Sequence, residues 1–258
     1  MKPIATILSI CLLLCRWSVA ADPAAGPDQP PLRVLLTTGG HGFDQKEFYA
    51  MWDGLPGITY TSAPLPQSID LLKPGLEKKF DVIVMYDMIK SFSPEQQQAF
   101  TDLLKTGIGV VSLHHNLCSH VDWPGYADII GGRYFQKPET IDGKAYPPST
   151  YLHDQHFEVK IADPSHPITS GLSDFKMDDE AYSGFYVAPG SHVLLTVDHP
   201  KCDHNVAWTT QFGKSRVFYL MFGHGPSAWK NPTYQQILVR GIHWAAQGDN
   251  PDAPRSGK

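Results

Sequence analysis

The chain has 258 residues, with 21 basic against 26 acidic side chains and twelve histidines. That length suits one large α/β domain with a sizeable core. The absence of any basic block makes nucleic acid and anionic membrane poor partners.

Residues 1–20 carry the marks of an export signal. Lys2 supplies the charge, Ile4 to Leu14 the apolar run, and Ser18-Val19-Ala20 a small-x-small cleavage site. The run is too short to span a bilayer comfortably. A lipoprotein reading of Leu12-Leu13-Leu14-Cys15 competes, but the large Leu14 before the cysteine weakens it. Cleavage after Ala20 predicts a periplasmic or secreted mature chain of 238 residues, without a membrane span, carrying 19 basic and 26 acidic residues. All twelve histidines stay in it. So do Cys118 and Cys202, whose pairing is left open because sequence does not bring their Cα atoms within about 7 Å.

Residues 21–31, rich in Pro, Ala and Gly, read as a flexible leader. A strand is predicted over Arg33 to Thr38, followed by the glycine-rich loop Thr37-Thr-Gly-Gly-His-Gly-Phe-Asp44. Asp44 suits the N-cap of a helix running to about Trp52. The loop lacks the pattern of a phosphate or dinucleotide loop, so no nucleotide cofactor is expected. Ile58 to Ser62 and Asp81 to Tyr86 are further strands, separated by Ile69 to Lys79, a helix interrupted at Pro74-Gly75. Ser93-Pro94-Glu95-Gln96 announces a helix with a capping box, its apolar face carried by Ala99, Phe100, Leu103 and Leu104. Gly107 ends it. Gly109 to Leu113 is then a short apolar strand, and His114 and His115 arrive where it should end.

Trp123 to Tyr134 predicts a short helix and a glycine turn. Lys137 to Thr150, with three prolines, reads as a long loop serving as a lid or partner surface. Gln155 to Ile161 alternates as an edge strand would, and Asp163 to Leu172 reads as turns leading into a short helix. Asp178 to Tyr182 is an acidic cluster beside an aromatic. His192 to Val197, Val206 to Thr210 and Arg216 to Met221 are strands, and Asn231 to Gln247 is an amphipathic helix. Alternation of strand and helix over the first half predicts a doubly wound, mostly parallel, flavodoxin-like sheet with helices on both faces. One domain over 32–248, with a tail over 249–258, accounts for the chain.

Ligands of open α/β sheets bind at the carboxyl ends of the strands. His41, His114 and His224 all stand just after apolar strands, so parallel pairing would bring three imidazoles to one rim. Imidazole serves general acid–base work near neutral pH and binds divalent metals such as zinc or manganese. His114 and His224, with Glu180, are the candidate catalytic groups. His41, His114 and His224 are the candidate metal ligands. His115, Asp44, Tyr182 and Trp123 are candidate substrate contacts. His153 and His156 flank an edge strand and read as surface residues. A nucleophile elbow places Ser or Cys on the turn after a strand. Here histidine takes that place, which disfavours a covalent hydrolase using Cys118.

Several segments together resemble the ThuA-like, trehalose-utilisation family. They include Thr38-Gly-Gly-His41, Val111-Ser-Leu-His-His115, Gly131-Gly-Arg-Tyr134, His166-Pro-Ile-Thr-Ser-Gly-Leu172, Asp179-Glu-Ala-Tyr182, Val206-Ala-Trp208, Arg216-Val-Phe-Tyr219, Gly223-His224 and Asn231-Pro232 with Arg240-Gly-Ile-His-Trp-Ala245. The resemblance implies a sheet related to the class I glutamine amidotransferase fold. His224 resembles the amidotransferase histidine, but the elbow cysteine is replaced by the Leu113-His114 region, so glutaminase activity is not expected. The family is linked to trehalose and related disaccharides through 3-keto sugars. The leading expectation is therefore an exported carbohydrate-processing protein acting on 3-keto glycosides. The alternative is a non-catalytic domain that binds sugar or docks a sugar oxidoreductase.

Overall fold

The computed structural model describes residues 30–247. The export signal, nearly all of the leader and the tail lie outside that range. In chain order the strands and helices are β1 (Leu32–Gly39), α1 (Gln45–Gly54), β2 (Ile58–Pro64), β3 (Val82–Asp87), α2 (Pro94–Leu104), β4 (Gly109–Leu113), α3 (Tyr126–Ile130), β5 (Gly132–Arg133), β6 (Glu139–Ile141) and β7 (Lys144–Tyr146). They continue with β8 (Thr150–Ile161), β9 (Phe175–Ser183), β10 (Tyr186–Val187), β11 (His192–Val197), β12 (Asn205–Phe212), β13 (Ser215–Leu220), α4 (Pro226–Trp229) and α5 (Pro232–Ala246).

Nine strands form one sheet in the order β2-β1-β3-β4-β13-β12-β11-β8-β9. The first five are parallel and the rest antiparallel. The parallel half is the expected flavodoxin-like part, with a switch of strand order between β1 and β3. Its central strands β3 and β4 are buried throughout because both faces are covered, whereas β2 at the edge is half exposed. Phe218 faces α5, where Gly241 has no Cβ to obstruct its ring. The next residue, Tyr219, pairs with Trp208, whose indole N–H donates to Ile130 O of α3. Since successive strand residues face opposite ways, α3 and α5 cover opposite faces.

The caps expected from sequence are present. Asp44 accepts from Glu47 N, and Ser93 and Gln96 form a reciprocal capping box. Other segments differ from expectation. Ile69 to Lys79 contains two short 3-10 turns, Ile69–Leu71 and Leu76–Lys78, rather than a broken helix. Asp163 to Leu172 is turns alone. The expected loop Lys137 to Thr150 contains the β6–β7 hairpin, closed by Asp142-Gly143, both at positive φ. The edge strand predicted from Gln155 begins at Thr150 and lies one place inside β9, the true edge. Cys118 and Cys202 are unpaired.

Candidate functional site

The elbow after β4 is a 3-10 turn over His114–Cys118. Asn116 pins it: its amide donates to Asp87 O at 3.0 Å, while its carbonyl oxygen accepts from Ser112 and Tyr126 hydroxyls, each at 2.7 Å. His114 has φ +49, a conformation L side chains rarely adopt. This is the strained backbone of a nucleophile elbow with an imidazole in the nucleophile's place. Tyr219 OH donates to the His114 carbonyl at 3.1 Å, fixing the turn from below.

The His114 ring is equally constrained. Its Nδ1 stands 2.7 Å from Met221 O. A carbonyl can only accept, so Nδ1 carries a proton and Nε2 is turned into the cluster. Nε2 faces Glu180 Oε2 at 3.1 Å, Tyr182 OH at 3.1 Å and His224 Nδ1 at 3.3 Å. His224 Nδ1 lies 3.5 Å from the same Glu180 oxygen. His224 arrives from the loop after β13, whose backbone is held by Asp179: Gly223 N and His224 N both donate to that buried carboxylate. Gly223 is required there, because a Cβ would meet the Tyr234 hydroxyl at 2.8 Å.

Burial alone would raise the Glu180 pKa, but hydrogen bonds from His114 and His224 hold its carboxyl well below the usual range. The same carboxylate raises the pKa of His224, against the effect of burial. Its second oxygen, Oε1, faces His153 Nδ1 at 3.1 Å. His153 also packs on His224, ring centroids 4.8 Å apart. His115 turns the other way, its Nε2 3.3 Å from Tyr86 O, and stacks on His41 at 4.7 Å. Burial and neighbouring imidazoles keep the His115 pKa well below its ordinary value, and His41 is lowered for the same two reasons.

His114, Glu180 and His224 are thus brought together as a set of three ligand atoms. His41, expected among the metal ligands, stands beside this set, its ring 6.3 Å from that of His224. Tyr182 stacks on His114 at 5.0 Å. His115 lines the rim through His41 and Tyr86. Asp44 is spent as the cap of α1, and Trp123 packs among Phe92, Phe100, His120 and Tyr126, so neither joins the site. His153, read from sequence as a surface residue, is exposed and also reaches Glu180 from the solvent side. A cleft of about 710 Å³ beside α3 and the β6–β7 hairpin is lined by none of these histidines. Its arginine, Arg133, is paired bidentately with Glu139.

The trehalose-utilisation family, ThuA, matches residues 66–245. The chain belongs to the ThuA family. Two solved ThuA-like proteins share the fold. The one from Parabacteroides merdae is 18% identical with a TM-score of 0.70, covering 84% of this chain and 90% of its own. The one from Bacteroides uniformis is also 18% identical with a TM-score of 0.65, covering 86% and 94%. A β-galactosidase from Rahnella is 13% identical with a TM-score of 0.50, covering 82% of this chain but 31% of its own. No curated protein matches the chain. Membership of ThuA gives the protein a carbohydrate-related role. Among the described residues no helix is long and apolar enough to cross a membrane.

Proposed function

We propose that this ThuA protein is a carbohydrate-processing enzyme that holds a divalent cation between His114 Nε2, Glu180 Oε2 and His224 Nδ1. The observation that carries the proposal is their mutual spacing of 3.1, 3.3 and 3.5 Å. Ligands at the 2.0–2.1 Å typical of zinc–nitrogen and zinc–oxygen bonds stand about 3.3 Å apart at the corners of a tetrahedron. Two imidazole nitrogens and a carboxylate oxygen are also a donor set that zinc or manganese accepts. With Nδ1 of His114 bonded to Met221 O, Nε2 is the atom that a neutral ring would offer to a cation beside the Glu180 carboxylate. The backbone bond that orients His114 is the outer-shell partner metal-ligating histidines have.

The substrate class we assign is a 3-keto glycoside. Its carbonyl acidifies the proton on C2. A base removes that proton, the electron pair forms the C1–C2 double bond, and the C1–oxygen bond breaks. The leaving alkoxide is protonated, giving an enone and a free sugar. A bound cation would supply Lewis-acid polarisation of the 3-carbonyl oxygen. His153 is the base we favour once His114 and His224 serve as ligands. Glu180 Oε1 fixes its proton on Nδ1 and leaves Nε2 as acceptor, the same orienting logic as a carboxylate–histidine dyad. The 3-keto substrate must come from a sugar oxidoreductase, and an export signal at residues 1–20 would place the reaction outside the cytoplasm.

The test is elemental analysis of purified wild type, H114A, E180Q and H224A, with turnover of 3-keto-trehalose measured on each. The expected result is one cation per wild-type chain, lost with turnover in every variant. Metal-free wild type after zinc and manganese supplementation would overturn the cation site. Binding of the sugar without turnover would favour the docking-domain alternative.

A further inference from the structure

Among the described residues only three large apolar side chains are exposed: Leu71, Tyr151 and Leu152. Two of these are consecutive and precede His153. Tyr151 is 61% exposed, whereas its cross-strand partner Tyr182 is buried. It pairs directly with Tyr182 across the β8–β9 ladder. Residues directly opposite in an antiparallel pair share a face. Tyr151 therefore stands on the face from which Tyr182 reaches His114.

The ladder slips between Leu152 and Gln155, and Asp154 there has φ +56. A bulge of this kind re-aims side chains and recurs beside active sites. Before the slip, Tyr151 and His153 face with Tyr182 and Glu180. After it, Phe157 and Val159 turn to the buried core. The bulge thus carries one aromatic ring out of the packed sheet and sets it against the site. The Tyr151 ring lies 5.3 Å from His153, edge to face, and His153 lies 4.8 Å from His224. The exposed ring is thus two ring-to-ring steps from the cation ligands.

We infer that Tyr151 is a platform on which the second ring of a two-ring glycoside stacks, while the first ring reacts at the His114–Glu180–His224 centre. This rests on the catalytic reading of that centre. A pyranose presents a face of C–H groups rimmed by hydroxyls, which suits a phenol ring with one wet edge. The selected substrate class is therefore disaccharides and longer glycosides, in preference to glycosides with a small leaving group.

The experiment compares wild type, Y151A and Y151F on 3-keto-trehalose and on methyl 3-keto-glucoside, with calorimetric binding of unoxidised trehalose alongside. Loss of one stacked ring should raise the KM of the two-ring substrate about tenfold in Y151A with kcat held. That rise should be at least five times the rise for the methyl glycoside, and Y151F should restore it. Equal KM effects on the two substrates, or trehalose binding indifferent to Tyr151, would overturn the platform. So would a Y151A effect confined to self-association in sedimentation, which would make Tyr151 a contact between chains. Absence of turnover by wild type would instead overturn the catalytic reading, and calorimetry would still decide the platform.

Discussion

His120 offers a quantitative test of the loop that supports the elbow. It is fully buried, and neither ring nitrogen has a hydrogen-bond partner among the described residues. Phe92 and Tyr126 each approach its ring at 4.2 Å, and Trp123 at 5.7 Å. Burial in this aromatic cage pushes its pKa down to about 3. The unfolded chain takes up that proton near pH 6.5 and the native chain refuses it. Stability present above pH 6.5 is therefore lost as pH falls, at about 1.4 kcal/mol per unit, until the native ring also titrates near pH 3. That amounts to about 2 kcal/mol at pH 5 and about 3 kcal/mol at pH 4. His120→Phe keeps an aromatic ring in the cage and removes the titration. Urea unfolding of wild type and variant at pH 7, 6, 5 and 4 gives the difference directly, because other titrating groups cancel. The variant should gain about 2 kcal/mol on wild type between pH 7 and pH 5. Parallel stability–pH curves would refute the reasoning.

Asp87 provides the opposite slope. Burial raises its pKa to about 6, despite hydrogen bonds from Thr37 and Ser119, so the stability it contributes is full below its unfolded pKa and lost as pH rises through 6. Asp87→Asn should therefore gain on wild type by up to about 3 kcal/mol between pH 4 and pH 7 in the same assay, and a constant difference would argue against a buried charge. Gly109→Ala should lower stability by about 1–3 kcal/mol, because the new Cβ would sit 2.4 Å from Ala245 O of α5. An unchanged melting temperature would mean that β4 and α5 part freely. Burial raises the Cys118 thiol far above its ordinary pKa. Native protein should resist alkylation there, and Cys118→Ser should retain turnover. Rapid labelling with loss of activity would revive the covalent mechanism.

The parallel half of the fold was legible because its strands are short apolar runs with clear helix caps between them. That half also placed His114 and His224 at one rim through strand-end position alone. The hairpin at Asp142-Gly143 was legible in principle, since Asp-Gly between alternating residues is a turn signal. The prolines of Lys137 to Thr150 obscured it. His153 was not legible. Alternation read backwards from Phe157 and Val159 places His153 in phase with them, and only the bulge at Asp154 breaks that phase. Nothing in the residues themselves announces an irregularity that depends on the partner strand. His41 had the right topological position, but the glycine loop carries its ring beside His115 rather than onto Glu180.

The two halves of the sheet contribute different parts of the site, and neither half contains it. The parallel half supplies imidazoles at strand ends, held by Met221 O and by the elbow. The antiparallel extension brings Glu180, Tyr182 and His153 over them from β8 and β9, while Asp179 on the same strand fixes the His224 backbone. The negative charge that organises the cluster therefore comes from the edge strand, farthest in sheet order from the flavodoxin-like core. A relative that keeps the core but alters β8 and β9 would keep the fold and lose the carboxylate, and with it any reason for the imidazoles to converge. Likeness to a β-galactosidase at 13% identity and a TM-score of 0.50 carries the architecture and not the chemistry. What the extension adds is one carboxylate set between three histidines.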